Sequence, residues 1–131
     1  MDLYAENILD HFQHPRHKGA LASGATPTIT LDDANPLCGD KLELSLLIEQ
    51  DNAGNSIIKN LAFDGSGCAI SQAAMSMLSE ELYGKNLSNA ETITPETIYE
   101  MLGVPLSTAR VKCALLSYSL LKKALILLKH Q

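Results

Sequence analysis

The sequence predicts an α+β fold in which a small antiparallel sheet of about three strands is covered by helices. Alternating apolar residues near the middle of the chain predict strands, and longer segments with apolar residues at helical spacing follow them. This order, without regular alternation of strands and helices, indicates α+β rather than a parallel α/β sheet. The 131 residues show no break in composition, so we expect one domain over residues 1–131.

Residues 28–63 contain the predicted strands. Thr28–Leu31 is a short candidate, and Lys41–Glu49 is the clearest strand because apolar and polar residues alternate along it. The turn-forming residues 51–55 separate it from Ile57–Phe63, which predicts an antiparallel hairpin. The apolar face of the clearest strand is predicted to consist of Leu42, Leu44, Leu46 and Ile48. A hairpin alone is only marginally stable, so we expect helices to cover this face.

The first helix is predicted to begin after Asp2, a candidate N-cap, and to end before Pro15. Its apolar stripe is predicted to consist of Leu3, Ala5, Ile8, Leu9 and Phe12. Three histidines recur at every third residue in this region, namely His11, His14 and His17. Pro15 breaks the helix that would align them on one side, so we expect them to face solvent or cap helix ends rather than bind a metal.

Three further helices are predicted after the hairpin. Ala69–Tyr83 has apolar residues at helical spacing. Thr94, followed by proline, is typical of a helix start, and Gly103 is typical of a helix end. The last helix is predicted to begin at Ser107 or Thr108. The C-terminal end of this helix contains more leucines than one buried stripe requires. These leucines pack either at a dimer or partner interface or in a broad buried face.

The charge of the chain argues against two classes of partner. A formal net charge of −5 would repel both nucleic-acid phosphates and anionic lipid. The sequence begins without a basic segment followed by an apolar run, and it contains no stretch of about 18 apolar residues. We therefore expect a cytoplasmic protein without nucleic-acid or membrane partners.

Two of the three cysteines lie in turns beside predicted elements. Cys38 directly precedes the clearest strand, and Asp40 places a carboxylate on the same face of the extended chain. Cys68 lies between two glycines and a predicted helix start, where unpaired N–H groups favour an anion. An odd number of cysteines in a reducing compartment argues against a disulfide framework.

Cys113 is predicted in the first turns of the last helix, near Arg110 and Lys112, whose charges favour thiolate over thiol. Between Cys38 and Cys68 there are 29 residues, and 44 lie between Cys68 and Cys113. These spacings are too long for a zinc finger or a thioredoxin-type pair, so the fold must bring the thiols together. Each cysteine taken alone is better explained as core packing, but three such settings together favour a functional site.

Three thiolates and a carboxylate suit a tetrahedral zinc site or an iron–sulfur cluster, since thiolates select these metals. A carboxylate leaves a metal more readily than a fourth sulfur and so opens a position for transfer. We expect these ligands to form a single labile metal or iron–sulfur site: Cys38, Asp40, Cys68 and Cys113.

Three motifs surround these ligands: Asn35-Pro36-x-Cys38-Gly39-Asp40, Gly67-Cys68-Ala69-Ile70-Ser71 and Val111-Lys112-Cys113-Ala114. In this order they resemble the IscU, SufU and NifU N-terminal family of iron–sulfur scaffold proteins. The opening segment also looks like the first helix and turn of that family: Leu3-Tyr4-x-x-x-Ile8-x-Asp10-His11-Phe12-x-x-Pro15-Arg16-x-x-Gly19. The resemblance implies an IscU/SufU-like fold, and it implies that Cys38, Asp40, Cys68 and Cys113 bind zinc or a nascent cluster, with 2Fe-2S as the preferred type.

Two branches of this family share features with the chain. Scaffold-type members carry a histidine before the third cysteine, where this chain has Lys112, whereas Arg110 resembles the zinc-dependent sulfur-acceptor branch. The sulfur-acceptor branch carries an insertion between the second and third cysteines that 44 residues are too few to include. The Leu-Pro-Pro-Val-Lys segment by which scaffold-type members meet their chaperone is also missing. The chain therefore looks intermediate between the branches.

The resemblance implies a scaffold that accepts sulfur from a cysteine desulfurase and serves downstream cluster acceptors or scaffold proteins, as a monomer or a weak homodimer. The alternatives are a zinc-dependent sulfurtransferase that relays persulfide sulfur and a zinc-stabilised interaction module. A cysteine hydrolase is disfavoured because no histidine is adjacent to any of the thiols in the sequence. Cys113 is expected to accept the sulfur, and Arg110 to pair with Asp40 when that carboxylate leaves the metal.

Overall fold

The computed structural model describes residues 3–21, 24–36 and 39–129. Its elements occur in this order: α1 (Leu3–Gln13), β1 (Ile29–Asn35), β2 (Asp40–Gln50), β3 (Ser56–Ser66), α2 (Ala69–Leu82), α3 (Leu87–Ala90), α4 (Pro95–Leu102) and α5 (Thr108–Lys129). The proposed cap Asp2 lies outside the described residues. No helix in these ranges is both long enough and apolar enough to cross a bilayer.

The three strands form one antiparallel sheet in the order β1-β2-β3, which confirms the predicted α+β class. On the inner face of β2, Leu42, Leu44 and Leu46 are fully buried, as predicted from their alternation. Ile48 is only half-buried, at the point where the register with β3 shifts. The alternating pattern therefore identified the core face correctly up to this irregularity.

Two strands are longer than their apolar residues predicted. β1 continues to Asn35, four residues beyond the predicted end at Leu31, and β3 continues to Ser66. The reason in β1 is a polar anchor: the carboxylate of Asp33 accepts a hydrogen bond from Ser119 at 2.7 Å and pairs with Lys123 at 3.0 Å. The inner face of β1 thus continues with polar residues, and these contact α5.

The sheet is covered on its inner face by α2 and α5, which also pack against each other. The central part of α2, residues 71–79, is buried throughout, and small alanine and serine side chains allow this close packing. In α5 the buried face lies between Cys113 and Leu125, whereas Ile126 and Leu127 are about half exposed. The layer that covers the sheet is therefore built mainly from these two helices.

The outer edge of β3 is covered by two short segments. Residues 17–19 pair with Phe63, which receives a hydrogen bond at its carbonyl from Gly19 and donates one to His17. Gly84 and Lys85 pair in the same way with Ile58. These segments satisfy backbone groups that an open sheet edge would expose.

Helix boundaries agree closely with the capping residues in the sequence. Thr94 caps α4 with a capping box, and Gly103 ends it in the left-handed conformation. α5 begins at Thr108, and the hydroxyl of Ser107 accepts a hydrogen bond from the Arg110 backbone at 3.3 Å. The short helix α3, capped by Asn86, was not predicted because it lacks an apolar repeat.

The prediction for α1 was wrong in two respects. Leu9 and Phe12, placed on the buried stripe, are 40% and 42% exposed, while Ile8 is buried as expected. His11, expected at the surface, is instead buried, with its Nδ1 at 2.8 Å from the hydroxyl of Ser76 in α2. The side chains of Leu3 and Ala5 lie outside what the structure describes. The reason for both errors is that His11 has a buried partner, Ser76, which lies 65 residues away on another helix. This contact turns the His11 side of α1 toward the core, and the local periodicity of α1 cannot show it.

His11 predicts a specific dependence of stability on pH. Burial, followed by the charge of Arg16, lowers the pKa of His11 below its ordinary value, although Glu80 and Asp10 oppose this. As the pH falls, the unfolded chain therefore binds a proton at His11 before the folded chain does. The contribution of neutral His11 to the free energy of unfolding is fully present above about pH 6.5 and decreases as the pH falls toward the pKa of the folded state. We expect His11→Asn to reduce the decrease between pH 7 and pH 5, by at most about 1.4 kcal/mol per pH unit.

Urea unfolding of the metal-free protein across this pH range measures the effect. His14→Asn, at an exposed histidine three residues later, is the matched control and should retain the wild-type dependence. An equal change in both variants would contradict the assignment to His11.

The outer face of the sheet carries three carboxylates in one cross-strand row. Asp32 lies directly opposite Glu43, which in turn lies opposite Asp64, and all three are exposed. The ion pairs found among the described residues involve other carboxylates. Like charges placed directly opposite each other destabilise a sheet.

We therefore expect Glu43→Lys to raise the free energy of unfolding by about 0.5–1 kcal/mol at low salt, and by less at high salt. Urea unfolding at two salt concentrations measures this. Glu49→Lys on the same strand is the control, because Glu49 lies opposite Ile57 on β3. An equal gain in the free energy of unfolding in both variants would show that the effect comes from net charge rather than from the row of carboxylates.

Candidate metal centre

Three of the four predicted ligands meet at one end of the sheet. One carboxylate oxygen of Asp40 and the sulfurs of Cys68 and Cys113 all lie within 4.8 Å of one another. These residues come from the start of β2, the start of α2 and the first turns of α5. The structure therefore brings these three predicted ligands together. Cys38 lies outside the described residues.

Asp40 is the first residue of β2, and it is 1% exposed. Its Oδ1 accepts a hydrogen bond from the backbone N–H of Cys68 at 2.9 Å. Its Oδ2 is buried and has no hydrogen-bond partner within the described ranges. A buried carboxylate oxygen without a donor is costly, whereas a metal ion would satisfy it. The carboxylate is thus held by one oxygen and offers the other.

Gly67 allows the close approach of β3, α2 and Asp40. Its φ of +153° lies in the region that favours glycine. A Cβ at this position would collide with Oδ1 of Asp40 and with the hydroxyl of Ser71. The carboxylate can therefore reach the amide of Cys68 only because residue 67 lacks a side chain.

Cys68 is the N-cap residue of α2 and is partly exposed. Burial by itself raises the pKa of its thiol, but hydrogen bonds from the Ser71 backbone and from Cys113 outweigh burial and the nearby charge of Asp40. The result is a pKa below the ordinary value. The hydroxyl of Ser71 lies 3.9 Å from the sulfur and donates to the Cys68 carbonyl at 3.0 Å. Cys68 is therefore an accessible sulfur with a preference for thiolate.

Cys113 lies deeper, and its side chain has no exposed surface. The helix directs this thiol toward Asp40 and Cys68 at the end of the sheet. One turn earlier, the exposed Arg110 reaches both thiols: the charge of Cys68, and more weakly that of Cys113, raises the pKa of its guanidinium. Lys112 is exposed on the same turn, and the cation that acts on both sulfurs is Arg110.

Two residues of this site were not identified from the sequence. Gly67 and Ser71 were quoted as parts of a motif, but neither was given a role. A signal for Ser71 was available, because a serine three residues after an N-cap position can return its hydroxyl to the cap carbonyl. The signal for Gly67 is its approach to Asp40, which lies 27 residues away and depends on the fold.

The donor set of two sulfurs and one oxygen fits a metal of the zinc or iron–sulfur class. Sulfur ligands on one tetrahedral zinc ion, with bonds of about 2.3 Å, lie roughly 3.8 Å apart. The two sulfurs would therefore have to move closer by no more than about 1 Å. The fold and this donor set define a protein with a candidate site for a metal or metal–sulfur group, formed by two thiols and a carboxylate.

Comparison with known proteins assigns the family. The family model for the NifU-like N terminal domain matches residues 3–131. The chain therefore belongs to the NifU-like N-terminal domain family, the family of its iron–sulfur cluster assembly relatives IscU and SufU. This confirms the resemblance carried by the three cysteine motifs.

Two relatives represent the two branches. The zinc-dependent sulfurtransferase SufU of Bacillus subtilis is 33% identical, with 92% of this chain and 88% of SufU aligned. The iron-sulfur cluster assembly scaffold protein IscU of Haemophilus influenzae is 30% identical, with 93% and 92% aligned. The SufU alignment has 138 positions, more than the 131 residues of this chain, so SufU contains residues that have no counterpart here. The IscU alignment has 122 positions.

Solved structures share the same fold. The crystal structure of FiSufU from Fervidobacterium islandicum AW-1 superposes with a TM-score of 0.68 at 26% identity, over 92% of this chain and 94% of that one. A second crystal structure, of a hypothetical protein, gives a TM-score of 0.71 at 28% identity, with 94% and 96% covered. The three-stranded sheet with its helical cover is therefore an arrangement that this family adopts.

Gly67→Ala tests the arrangement of Asp40. We expect it to lower the affinity for Zn²⁺ by about 10–100-fold, because the new methyl group displaces a carboxylate of the candidate donor set. Competition with a chromophoric chelator measures the affinity. Gly54→Ala is the matched control: its φ of +83° is also in the glycine region, but a Cβ there meets nothing within 4 Å. It should lose about 1 kcal/mol of stability and no zinc affinity. Equal affinity losses in both variants would contradict the prediction.

Proposed function

We propose that this protein is an iron–sulfur cluster assembly scaffold that accepts sulfur from a cysteine desulfurase and holds a nascent cluster or a zinc ion. The observation that carries the proposal is the convergence of Asp40, Cys68 and Cys113 at one end of the sheet. Membership of the IscU and SufU family supports it. We further propose that residues 1–131 act as one domain in the cytoplasm, as a monomer or weak homodimer, and serve downstream acceptor or scaffold proteins.

Cys38 is the proposed fourth ligand. It lies two residues before Asp40 in the chain, so its Cα is within about 7 Å of the Asp40 Cα whatever its conformation. Two sulfurs and one oxygen from the described residues would fill three of the four positions of a tetrahedral metal site. A third thiolate would suit the remaining position. The group bound there would be zinc, or a 2Fe-2S cluster as the product under assembly.

The bound metal would supply Lewis acidity that keeps its thiolate ligands deprotonated. The residues of the chain do the rest. Asp40 keeps one oxygen on the amide of Cys68, so only its other oxygen has to leave a metal for a position to open. Arg110 is the nearby cation that can receive the released carboxylate. The site is thus arranged for exchange rather than for permanent closure.

The proposed sulfur acceptor is Cys113. Its thiolate attacks the outer sulfur of a persulfide on the desulfurase; a new sulfur–sulfur bond forms, and the donor cysteine leaves as a thiolate with the electron pair of the broken bond. No oxidant or reductant is needed. Because Cys113 is buried, docking has to open the site before the attack, and Arg110 then faces the anionic sulfur.

The second candidate is a zinc-dependent sulfurtransferase that relays sulfur without building a cluster. The identity of 33% with SufU favours it, as does an arginine that acts on two thiols. In this case Cys68 becomes a second candidate acceptor, since it is partly exposed and its thiol pKa is lowered. A zinc-stabilised interaction module is the third candidate, supported only by the ligand set.

Persulfide transfer separates these candidates. With desulfurase and cysteine, the wild-type protein is expected to gain the mass of one sulfur atom on Cys113, located by peptide mass spectrometry. Cys113→Ser should lose this sulfur and keep its fold, whereas the matched variant Cys68→Ser should retain it. Sulfur retained by Cys113→Ser and lost by Cys68→Ser would transfer the role of acceptor to Cys68.

Adding iron to the same mixture distinguishes scaffold from relay. A scaffold develops visible absorption on the protein itself, and this absorption should disappear in Asp40→Ala or Cys113→Ser. Bound zinc with stimulated desulfurase turnover and no colour supports the sulfurtransferase. Zinc binding without either activity leaves the interaction module.

A further inference from the structure

Two buried polar atoms that have no partner among the described residues lie at the same end of the sheet. One is Oδ2 of Asp40, discussed above, and the other is Nδ2 of Asn35. Asn35 is the last residue of β1 and lies directly opposite Asp40 in the β1–β2 register. One atom accepts and the other donates, so a metal ion bound to Oδ2 of Asp40 does not satisfy Nδ2 of Asn35.

The register places the Asn35 side chain beside the site. Residues directly opposite each other in an antiparallel pair share a face of the sheet, with their Cβ atoms about 5 Å apart. The inner face is the one concerned, because Asp33, two residues earlier on β1, reaches Ser119 of α5 from it. The side chain of Asn35 therefore lies on the face of the sheet that carries Asp40 and that packs against α5.

The chemistry of the amide defines its ligand. An N–H group cannot bind a cation, so a metal ion does not satisfy it, and its natural partner is an acceptor atom, above all an anion. The acceptors that the proposed function brings to this position are sulfur atoms. Arg110 acts on the sulfurs from the exposed side, whereas Asn35 lies on the buried side. The two donors would thus hold one anionic sulfur together.

We propose that Asn35 is a sulfur-binding residue, whose side-chain N–H donates a hydrogen bond to the terminal sulfur of a cysteine persulfide formed at the Asp40, Cys68 and Cys113 site. This inference rests on the proposed function. It adds to that function a residue that helps to retain sulfur but does not bind the metal. Loss of the donor weakens the hold on the persulfide and leaves the metal ligands in place.

The test uses the metal-free full chain and glutathione persulfide as the probe. A protein thiolate takes the outer sulfur from glutathione persulfide and releases glutathione as a thiolate, so the sulfur partitions between the two at equilibrium. Mass spectrometry of the intact protein measures the partition constant. We expect Asn35→Ala to lower it about tenfold, the effect of losing a hydrogen bond to a charged group. Asn35→Asp keeps the shape but replaces the donor by a carboxylate, and it should lower the constant further.

Two additional readouts exclude a purely structural role. Zinc affinity and the thermal unfolding midpoint of Asn35→Ala should match the wild type, and Asn60→Ala on β3 should match it in all three measurements. Partition constants equal to wild type in both Asn35 variants overturn the inference. A parallel fall of zinc affinity and unfolding midpoint in Asn35→Ala also overturns it. A wild-type protein that takes up no sulfur refutes the proposed function together with the inference, whereas normal wild-type uptake with unaffected variants refutes the inference alone.

Discussion

The hydrogen bond from the backbone N–H of Cys68 to Oδ1 of Asp40 joins the first residue of β2 to the N-cap of α2. It holds one ligand directly against another and satisfies one oxygen of a carboxylate that is otherwise buried without a donor. Gly67 has to be a glycine for this bond to form, since a side chain there would occupy the position of the carboxylate. The other features of the site depend on this contact, because it determines which oxygen remains for a metal.

A second polar contact joins β1 to the middle of α5. Asp33 on β1 binds Ser119 and Lys123, and it thereby fixes the rotation and height of the helix against the sheet. Cys113 lies on the same helix nearer its start, so this anchor places the sulfur at the sheet end and keeps it buried. Arg110, one turn earlier, reaches the same point from the exposed side. A single helix thus supplies both a buried ligand and an accessible cation.

The opening motif of the chain has a structural role in this fold. Asp10 pairs with Arg16 at 2.7 Å, His11 lies against Ser76, and the backbone of Arg16 also donates to Ser76 at 2.9 Å. These contacts hold α1 and the following turn against the middle of α2, whose first residues form part of the metal centre. The histidine that looked like a surface or capping residue is therefore a satisfied residue of the core, as buried polar groups usually are.

Local sequence determined β2, both ends of α4 and the start of α5, because the alternation in β2 and the caps Thr94, Gly103 and Ser107 act through neighbouring residues. It also indicated the candidate ligands, since few side chains can bind a soft metal. Only the tertiary structure decided which of the cysteines and histidines are buried: Cys113 is inside, Cys68 is partly exposed and His11 is inside. Burial, the approach of Gly67 to Asp40 and the unpaired amide of Asn35 all arise from contacts between residues far apart in the chain, and no local pattern contains such contacts.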